Sequence, residues 1–559
     1  MASPNRKVFI VSLDGATFDV LRPLAAQGYL PTLRHLFEVS LCSELESVIP
    51  PVTAPAWTSF MTGKGPDKHG IFDFLRFDAQ QYKNTINNSS HIQSKTLWQI
   101  ASDHGKRVVV LNLPYTYPTY KVNGVMVAGW DAPSNSSFTF PEEVHQEVFR
   151  AVPGFGSSAD LSLWNYISAR SATELTNFLG KLQKSFRDCA LLASHFLATQ
   201  EWDVFMVHFQ QTDWIQHKLW SHIAQACRVA ADHNERVENV RKCYRSFDQE
   251  LAELLRQVEP LDPIQIILSD HGFGGNVGTL CPNYLLRKMG LYQIRPSSNR
   301  LAHSLKNSRQ GGMRRLASVL RSTRNRVRRW QMLKSYRSWA DMAADTVPNE
   351  KSGVDWSRTK AAFVMGSEVG FIYVNVKGRA PLGCVDPGAE YERVVGDIIA
   401  QFSNLKHPHT GDPLLLRVCR GEEIYSPHSK HVLLPDVVLV PKDGHVVGAG
   451  LAEPFLAASG ELGNHRHNGI LMMKGPGIRE SVPGLSPRLI DLAPTILHAL
   501  GLPVPSDMDG RVLEEVFDQP LPVHFEVADN SRTAEVQHDY ADEETELIEQ
   551  RLRGLGYVE

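Results

Sequence analysis

Asp213 and His217 stand four residues apart in QQTDWIQHKLW, so on a helix they share one face and can reach a common point. Asp270 and His271 are adjacent in SDHGFGG, directly after the apolar run of residues 264–268, and the glycines behind them let backbone approach a ligand closely. Asp14 closes the run KVFIVSL at residues 7–13. His465 in GNHRHNG precedes another apolar run, 469–473, with His467 as its nearby competitor. Each has an everyday explanation: an i, i+4 Asp/His pair is commonly a surface contact, and an aspartate at a strand end often caps the next helix. Together they are six carboxylate and imidazole donors, and they divide into two sets of three suited to divalent cations. Two divalent ions about 3.5–4 Å apart are the usual apparatus for in-line displacement at phosphorus.

Such a centre needs a nucleophile, and residues 49–71, IPPVTAPAWTSFMTGKGPDKHGI, offer Thr53. Three prolines punctuate a short loop, after which Trp57, Phe60 and Met61 repeat as the apolar face of a helix that Gly63 ends. Thr53 is therefore expected just ahead of the helix start. There its hydroxyl either accepts a backbone N–H as a cap, or lies where unpaired amides and the positive end of the helix dipole hold a phosphoryl group over it. A cation beside the hydroxyl favours its alkoxide, and with it the second reading.

These residues must be positioned by a scaffold, and the chain supplies a repeated grammar. Residues 7–13, 107–113, 203–209, 264–268 and 435–440 are Val- and Ile-rich apolar runs of the kind covered on both faces. They alternate with helical patterns at 95–104, 172–199, 236–258, 391–402 and 489–500. The expected fold class is α/β, a mainly parallel central sheet with helices on both faces. Nearly all the candidate donors then fall at or soon after the strands' C-terminal ends, the edge where open α/β sheets bind ligands.

The expected organisation is a core in two parts, 1–285 and 356–525, a basic helical cap insertion at 286–355, and a tail at 526–559 with an acidic start and a short amphipathic helix from Glu543. Between Arg300 and Arg337 every charged residue is Lys or Arg. That segment is either a solvated helical insertion, a lid that attracts an anionic substrate, or a docking surface for anionic lipid or polyphosphate. Few aromatics interleave the arginines, which counts against a nucleic-acid platform. With 58 Lys+Arg against 61 Asp+Glu, no global charge calls for a polyanionic partner. The seven cysteines are odd in number, scattered and without a CxxC pair, which argues against a disulfide framework and a thiolate zinc site. No leader and no apolar run of membrane-spanning length is visible, so a cytoplasmic protein without a transmembrane segment is expected.

The segments VSLDG, VTAPAW with TGKGPDKHGI behind it, TDWIQH, LSDHG and GNHRHNGILMMKGPGI occur in the order found in the alkaline-phosphatase superfamily. The chain resembles its type I phosphodiesterase and nucleotide pyrophosphatase branch, from Lys7 to Arg511. The resemblance implies one metal held by Asp14, Asp270 and His271 and touching Thr53, and a second held by Asp213, His217 and His465. It implies two divalent ions, zinc or alternatively manganese, and hydrolysis of a small phosphorylated substrate, phosphodiester first, through a phospho-threonine. One position departs from the pattern. The branch's asparagine that hydrogen-bonds a phosphate oxygen is replaced by Phe74 in HGIFDFLRF, leaving the Ala54 amide, Asn87 or Asn88 as candidate substitutes. Phosphomonoester hydrolysis or mutase-like phosphoryl transfer on the same site is the close alternative. A silent scaffold binding an anionic partner is the distant one, because the donor set is complete.

Overall fold

The computed structural model describes residues 6–133, 136–156, 171–228, 234–295, 353–426, 432–451, 453–458, 462–519, 522–528 and 539–555. Most of the segment expected as the basic insertion, including all of Arg300 to Arg337, lies outside the described residues.

The run VFIVSL forms the strand Val8–Leu13, buried at every residue and paired in parallel on each side. Ser12 pairs with His208 of the strand Val204–Phe209 on one side and with Leu268 of the strand Ile264–Leu268 on the other. This register sends Asp14, the start of the Gln211–Ala226 helix and the Asp270–His271 turn out at one edge. The complete sheet has eight strands in the spatial order Leu41–Glu46, Asn468–Lys474, Ile264–Leu268, Val8–Leu13, Val204–Phe209, Val108–Leu113, Gly124–Ala128 and Thr139–Phe140. The inner five are parallel and the margins antiparallel.

Helices pack around the sheet. Ala172–Thr199 begins with a Ser171/Glu174 capping box and buries Leu175, Phe178, Leu182, Phe186 and Cys189 at helical spacing. Phe186 stacks between Phe209 of the sheet and Phe247 of the Glu235–Val258 helix, with centroids 4.0 and 4.3 Å away. The C-terminal helix Asp542–Leu555 returns to the body: Ile548 and Leu552 are buried, and the buried Arg551 donates to the carbonyls of Trp130 and Ala132. Among the described residues no helix is long and apolar enough to cross a membrane.

One expectation is corrected here. The apolar run at 435–440 does not join the main sheet; as Val437–Pro441 it lies in a second, four-stranded antiparallel sheet with Gly370–Val374, Leu415–Arg420 and Ala361–Met365. That sheet carries the Ala389–Ser403 helix and its own cluster of buried side chains, including Phe371, Val395, Ile398 and Leu439. A strand covered on both faces is a continuous apolar run in either kind of sheet, so composition could not separate the two.

Candidate active site

Asp14 is fully buried where the central strand ends. Its carboxylate oxygen Oδ2 accepts the indole N–H of Trp57 at 2.8 Å, and its carbonyl accepts the Thr212 hydroxyl at 2.7 Å. Asp270 follows the neighbouring strand, and its Oδ1 accepts the Gly15 amide at 3.2 Å. His271 Nδ1 lies 3.1 Å from the Gly272 carbonyl, which can only accept, so that nitrogen carries the proton and Nε2 presents its lone pair. Nε2 points at the carboxylates, 3.3 Å from Asp270 Oδ2 and 3.7 Å from Asp14 Oδ1.

The second set has a different origin. Asp213 and His217 lie one turn apart on the Gln211–Ala226 helix, with His217 Nε2 3.3 Å from Asp213 Oδ1. His465 arrives on the strand Gly463–Arg466, which pairs antiparallel with Gly272–Gly275 so that His465 faces Phe273. Its Nδ1 donates to the Pro51 carbonyl at 3.0 Å, which turns Nε2 inward to within 3.3 Å of Asp213 Oδ1 and 3.0 Å of His217 Nε2. His467, two residues on, is half-buried beside Glu46, 3.4 Å away and turned from the ligands. Within each set of three, the donor atoms all lie within 4.8 Å of one another. The sets adjoin, because the rings of His271 and His465 stack at 3.7 Å. Gly15, at φ +61°, leaves the room between them; a Cβ there would stand 3.3 Å from both Asp213 Oδ1 and His271 Cε1.

Thr53 is the first residue of the helix Thr53–Thr62, one position further in than expected, and Val52 is the cap. Its hydroxyl is buried, caps nothing and makes no hydrogen bond, so the capping role is not what the side chain does. Two contacts bracket it: Pro51 holds His465, and Trp57, one turn along the helix, holds Asp14. Asp14 Oδ1, Asp270 Oδ2 and His271 Nε2 are likewise buried without hydrogen-bond partners. Orphaned acceptors of this kind cost about 1–3 kcal/mol each unless a ligand satisfies them. A donor set of carboxylate oxygens and imidazole lone pairs is what a divalent cation satisfies, and the residues fit a pair of them.

The electrostatics agree. Burial, then the neighbouring Asp270 and Asp213, push the Asp14 carboxyl well above its ordinary range, and burial lifts Asp270 to about 7. Burial acts on Asp213 too, but the imidazoles of His217 and His465 outweigh it and hold that carboxyl low. Burial depresses His271 and His217, whereas at His465 the carboxylates of Glu368, Asp213 and Asp270 overcome burial and raise it to about 8. Three carboxylates crowded away from water resist common ionisation, and bound cations relieve that conflict.

Three candidate substrate contacts remain. The Ala54 amide is in the first turn of the Thr53–Thr62 helix, among those a helix leaves without an intrahelical acceptor. Asn87 donates its side-chain amide to the Asp73 carbonyl at 2.9 Å, and Asn88 Oδ1 accepts from the Ser90 amide and hydroxyl at 2.9 and 2.7 Å. Phe74 is packed in the core against Tyr115 and Trp130. Sequence reasoning missed several supporting groups. Trp57 was legible only as an apolar helix face. His208 lies 3.5 Å from Asp14 Oδ2 and 2.9 Å from Gln210 Oε1, and Gln210 also accepts the Trp130 indole at 3.0 Å. The signal was there: a histidine inside VFMVHF, a strand otherwise wholly apolar. Glu368, on the turn between the second sheet's first two strands, gave no signal at all.

A sequence profile described as type I phosphodiesterase / nucleotide pyrophosphatase matches residues 8–469. No curated protein matches the chain by sequence. Among solved structures, phosphonoacetate hydrolase from Sinorhizobium meliloti 1021 with phosphonoformate aligns at a TM-score of 0.52 and 15% identity, covering 89% of this chain and 96% of that one. The same enzyme with phosphonoacetate gives 0.50 at 16% identity, again over 89% and 96%. Murine ectonucleotide pyrophosphatase / phosphodiesterase 5 aligns at 0.45 and 15% identity, over 93% and 98%.

Proposed function

The chain belongs to the type I phosphodiesterase / nucleotide pyrophosphatase family, metal-dependent phosphoester hydrolases, and from that premise we propose a two-cation phosphodiesterase that works through a phospho-threonine at Thr53. The observation that carries the reading is the Thr53 hydroxyl itself, buried without a hydrogen bond at a helix N-terminus whose flanking residues hold Asp14 and His465. Asp14, Asp270 and His271 would hold one ion and Asp213, His217 and His465 the other, zinc by preference and manganese as the alternative. When bound, the pair supplies a lowered pKa for the Thr53 hydroxyl, neutralisation of the phosphoryl oxygens, and stabilisation of the leaving oxygen and of the hydrolytic water.

The chain's own residues do the rest. The first-turn amides, Ala54's among them, face the anionic phosphoryl group along the favourable end of the helix dipole. Thr53 Oγ forms the new bond to phosphorus as the ester oxygen departs in line; water then breaks the Thr53 Oγ–P bond, and two inversions give net retention. Phe74, with its ring committed to the core, gives no amide to a phosphate oxygen, which favours phosphomonoester hydrolysis or phosphoryl transfer as the second reading over a strictly nucleotide-specific diesterase. The seven free cysteines support a reducing compartment, and we place the protein in the cytoplasm on that ground.

The test is a panel of bis-p-nitrophenyl phosphate, p-nitrophenyl phosphate and the p-nitrophenyl ester of thymidine monophosphate, with Zn²⁺ and Mn²⁺ supplied separately. The diester is expected to turn over fastest, and Thr53→Ala to lose on the order of 10⁴-fold or more of the rate. Unchanged turnover in Thr53→Ala removes the covalent step.

A further inference from the structure

We infer that Glu368, delivered by the second sheet, is a positioning residue for the cation set of Asp213, His217 and His465, acting through the outer nitrogen of His465; this rests on the two-cation reading above. Glu368 lies in the turn joining Ala361–Met365 to Gly370–Val374, in a different sheet from every proposed metal ligand. Its side chain is 8% exposed, and Oε1 stands 3.5 Å from His465 Nδ1. The Ser367 hydroxyl donates to its other oxygen.

His465 Nδ1 has two partners of different kinds. The Pro51 carbonyl, at 3.0 Å, makes the better hydrogen bond and fixes the tautomer. The Glu368 carboxylate is too far for a strong bond of its own, yet it places a negative charge behind the ring, on the side away from Asp213 and His217. A carboxylate behind a ligating imidazole raises its basicity toward the cation and restrains its rotation.

The turn is fastened for this purpose. The amide of Val447 donates to the carbonyl of Ser367, in the turn, at 2.6 Å. Tyr425 of the same sheet region donates to the Ile49 carbonyl at 2.8 Å, bracing the loop that leads to Pro51 and Thr53. The second sheet region therefore reaches both the histidine and the nucleophile's loop, and Glu368 is the charge it brings to His465.

The experiment titrates the metal-stripped full chain with Zn²⁺ against a chromogenic chelator, for the parent, Glu368→Gln, Glu368→Ala and, as a marker of that cation set, His465→Ala. Two ions are expected in the parent. Glu368→Ala is expected to weaken one of them, the ion that His465→Ala abolishes, by about 10-fold or more while the other keeps its affinity. Glu368→Gln, which retains an acceptor but no charge, should fall between parent and Ala. The thermal midpoint of the metal-free protein should match the parent in both Glu368 variants. Parental affinity for both ions in Glu368→Ala overturns the inference. So does equal weakening of both ions, or a lowered metal-free midpoint with Gln no better than Ala, which is the pattern of a merely structural residue. A parent that binds no ion refutes the two-cation reading itself, and is a distinct result.

Discussion

Asp14, Asp270 and His271 come from two strands that lie side by side in one sheet, whereas Asp213, His217 and His465 are gathered from a helix and from a strand of a separate two-stranded ladder. In the first set the register Ser12↔Leu268 places the donors, and backbone bonds such as Gly15 N–H to Asp270 lock them. In the second set the closest approach, 3.0 Å between the imidazoles of His217 and His465, spans 248 positions and depends on the Pro51 carbonyl and on Glu368. The first half is therefore preformed by sheet pairing, while the second is assembled by long-range contacts. Preformation has its own cost: the carboxylates of the first set are the ones burial holds above their ordinary range.

The largest effects come from removing one ligand in each half. Asp270→Asn and His465→Ala should each lower kcat/KM by more than the roughly 10²-fold typical of outer-shell changes, each losing one ion while the other set keeps its own. The halves should part company in metal-free stability. Burial raises the folded-state pKa of Asp270 from 3.8 to about 7, so the folded chain holds that proton more tightly than the unfolded one. Its contribution is fully present below pH 3.8 and is lost as the pH climbs through about 7. Metal-free Asp270→Asn should accordingly melt above the parent at pH 8 and converge with it near pH 4, a comparison that thermal scans in EDTA read directly. An Asn variant that melts below the parent at pH 8 would break the claim that the first half is built against a burial penalty.

Gly15→Ala probes the space between the halves. At φ +61° a side chain costs about 1–2 kcal/mol, and its Cβ meets both Asp213 and His271. Both ions should weaken together, unlike any single-ligand change. Trp57→Phe sharpens the contrast from the other side: losing the 2.8 Å indole bond to Asp14 should cost about 1–3 kcal/mol of stability and about 10–100-fold in activity, with the weakened ion confined to the first set. His467→Ala should do least, shifting stability within about 0.5 kcal/mol and leaving both ions in place, because that ring sits half-buried beside Glu46, turned from the ligands.

How legible each part was in the sequence follows the same division. A carboxylate at the end of an apolar run, followed by glycines, advertises the first half, since strand-end placement is a local property. The spacing of Asp213 and His217 was equally readable once a helix was granted. Choosing His465 over His467 was different in kind. Both sit in GNHRHNG, and it takes the ladder, which ends at Arg466, and the Pro51 carbonyl to turn the His465 imidazole inward. Trp57 was legible as a buried aromatic but not as a donor to Asp14, because an apolar stripe does not reveal where one N–H points. Glu368 and the second sheet were invisible for the reason that the run at 435–440 was assigned to the wrong sheet: non-local antiparallel pairing leaves no signature that differs from that of a buried parallel strand. Phe74 was read as a missing amide, and the structure adds where its ring goes, into the core with Tyr115 and Trp130.

The most direct measurement is anomalous diffraction at the zinc edge from crystals of the full chain grown with Zn²⁺. Two peaks about 3.5–4 Å apart are expected, one among Asp14, Asp270, His271 and the Thr53 oxygen, the other among Asp213, His217 and His465. A single peak, or two that leave Thr53 outside coordinating distance, would contradict a paired cation centre built around that hydroxyl.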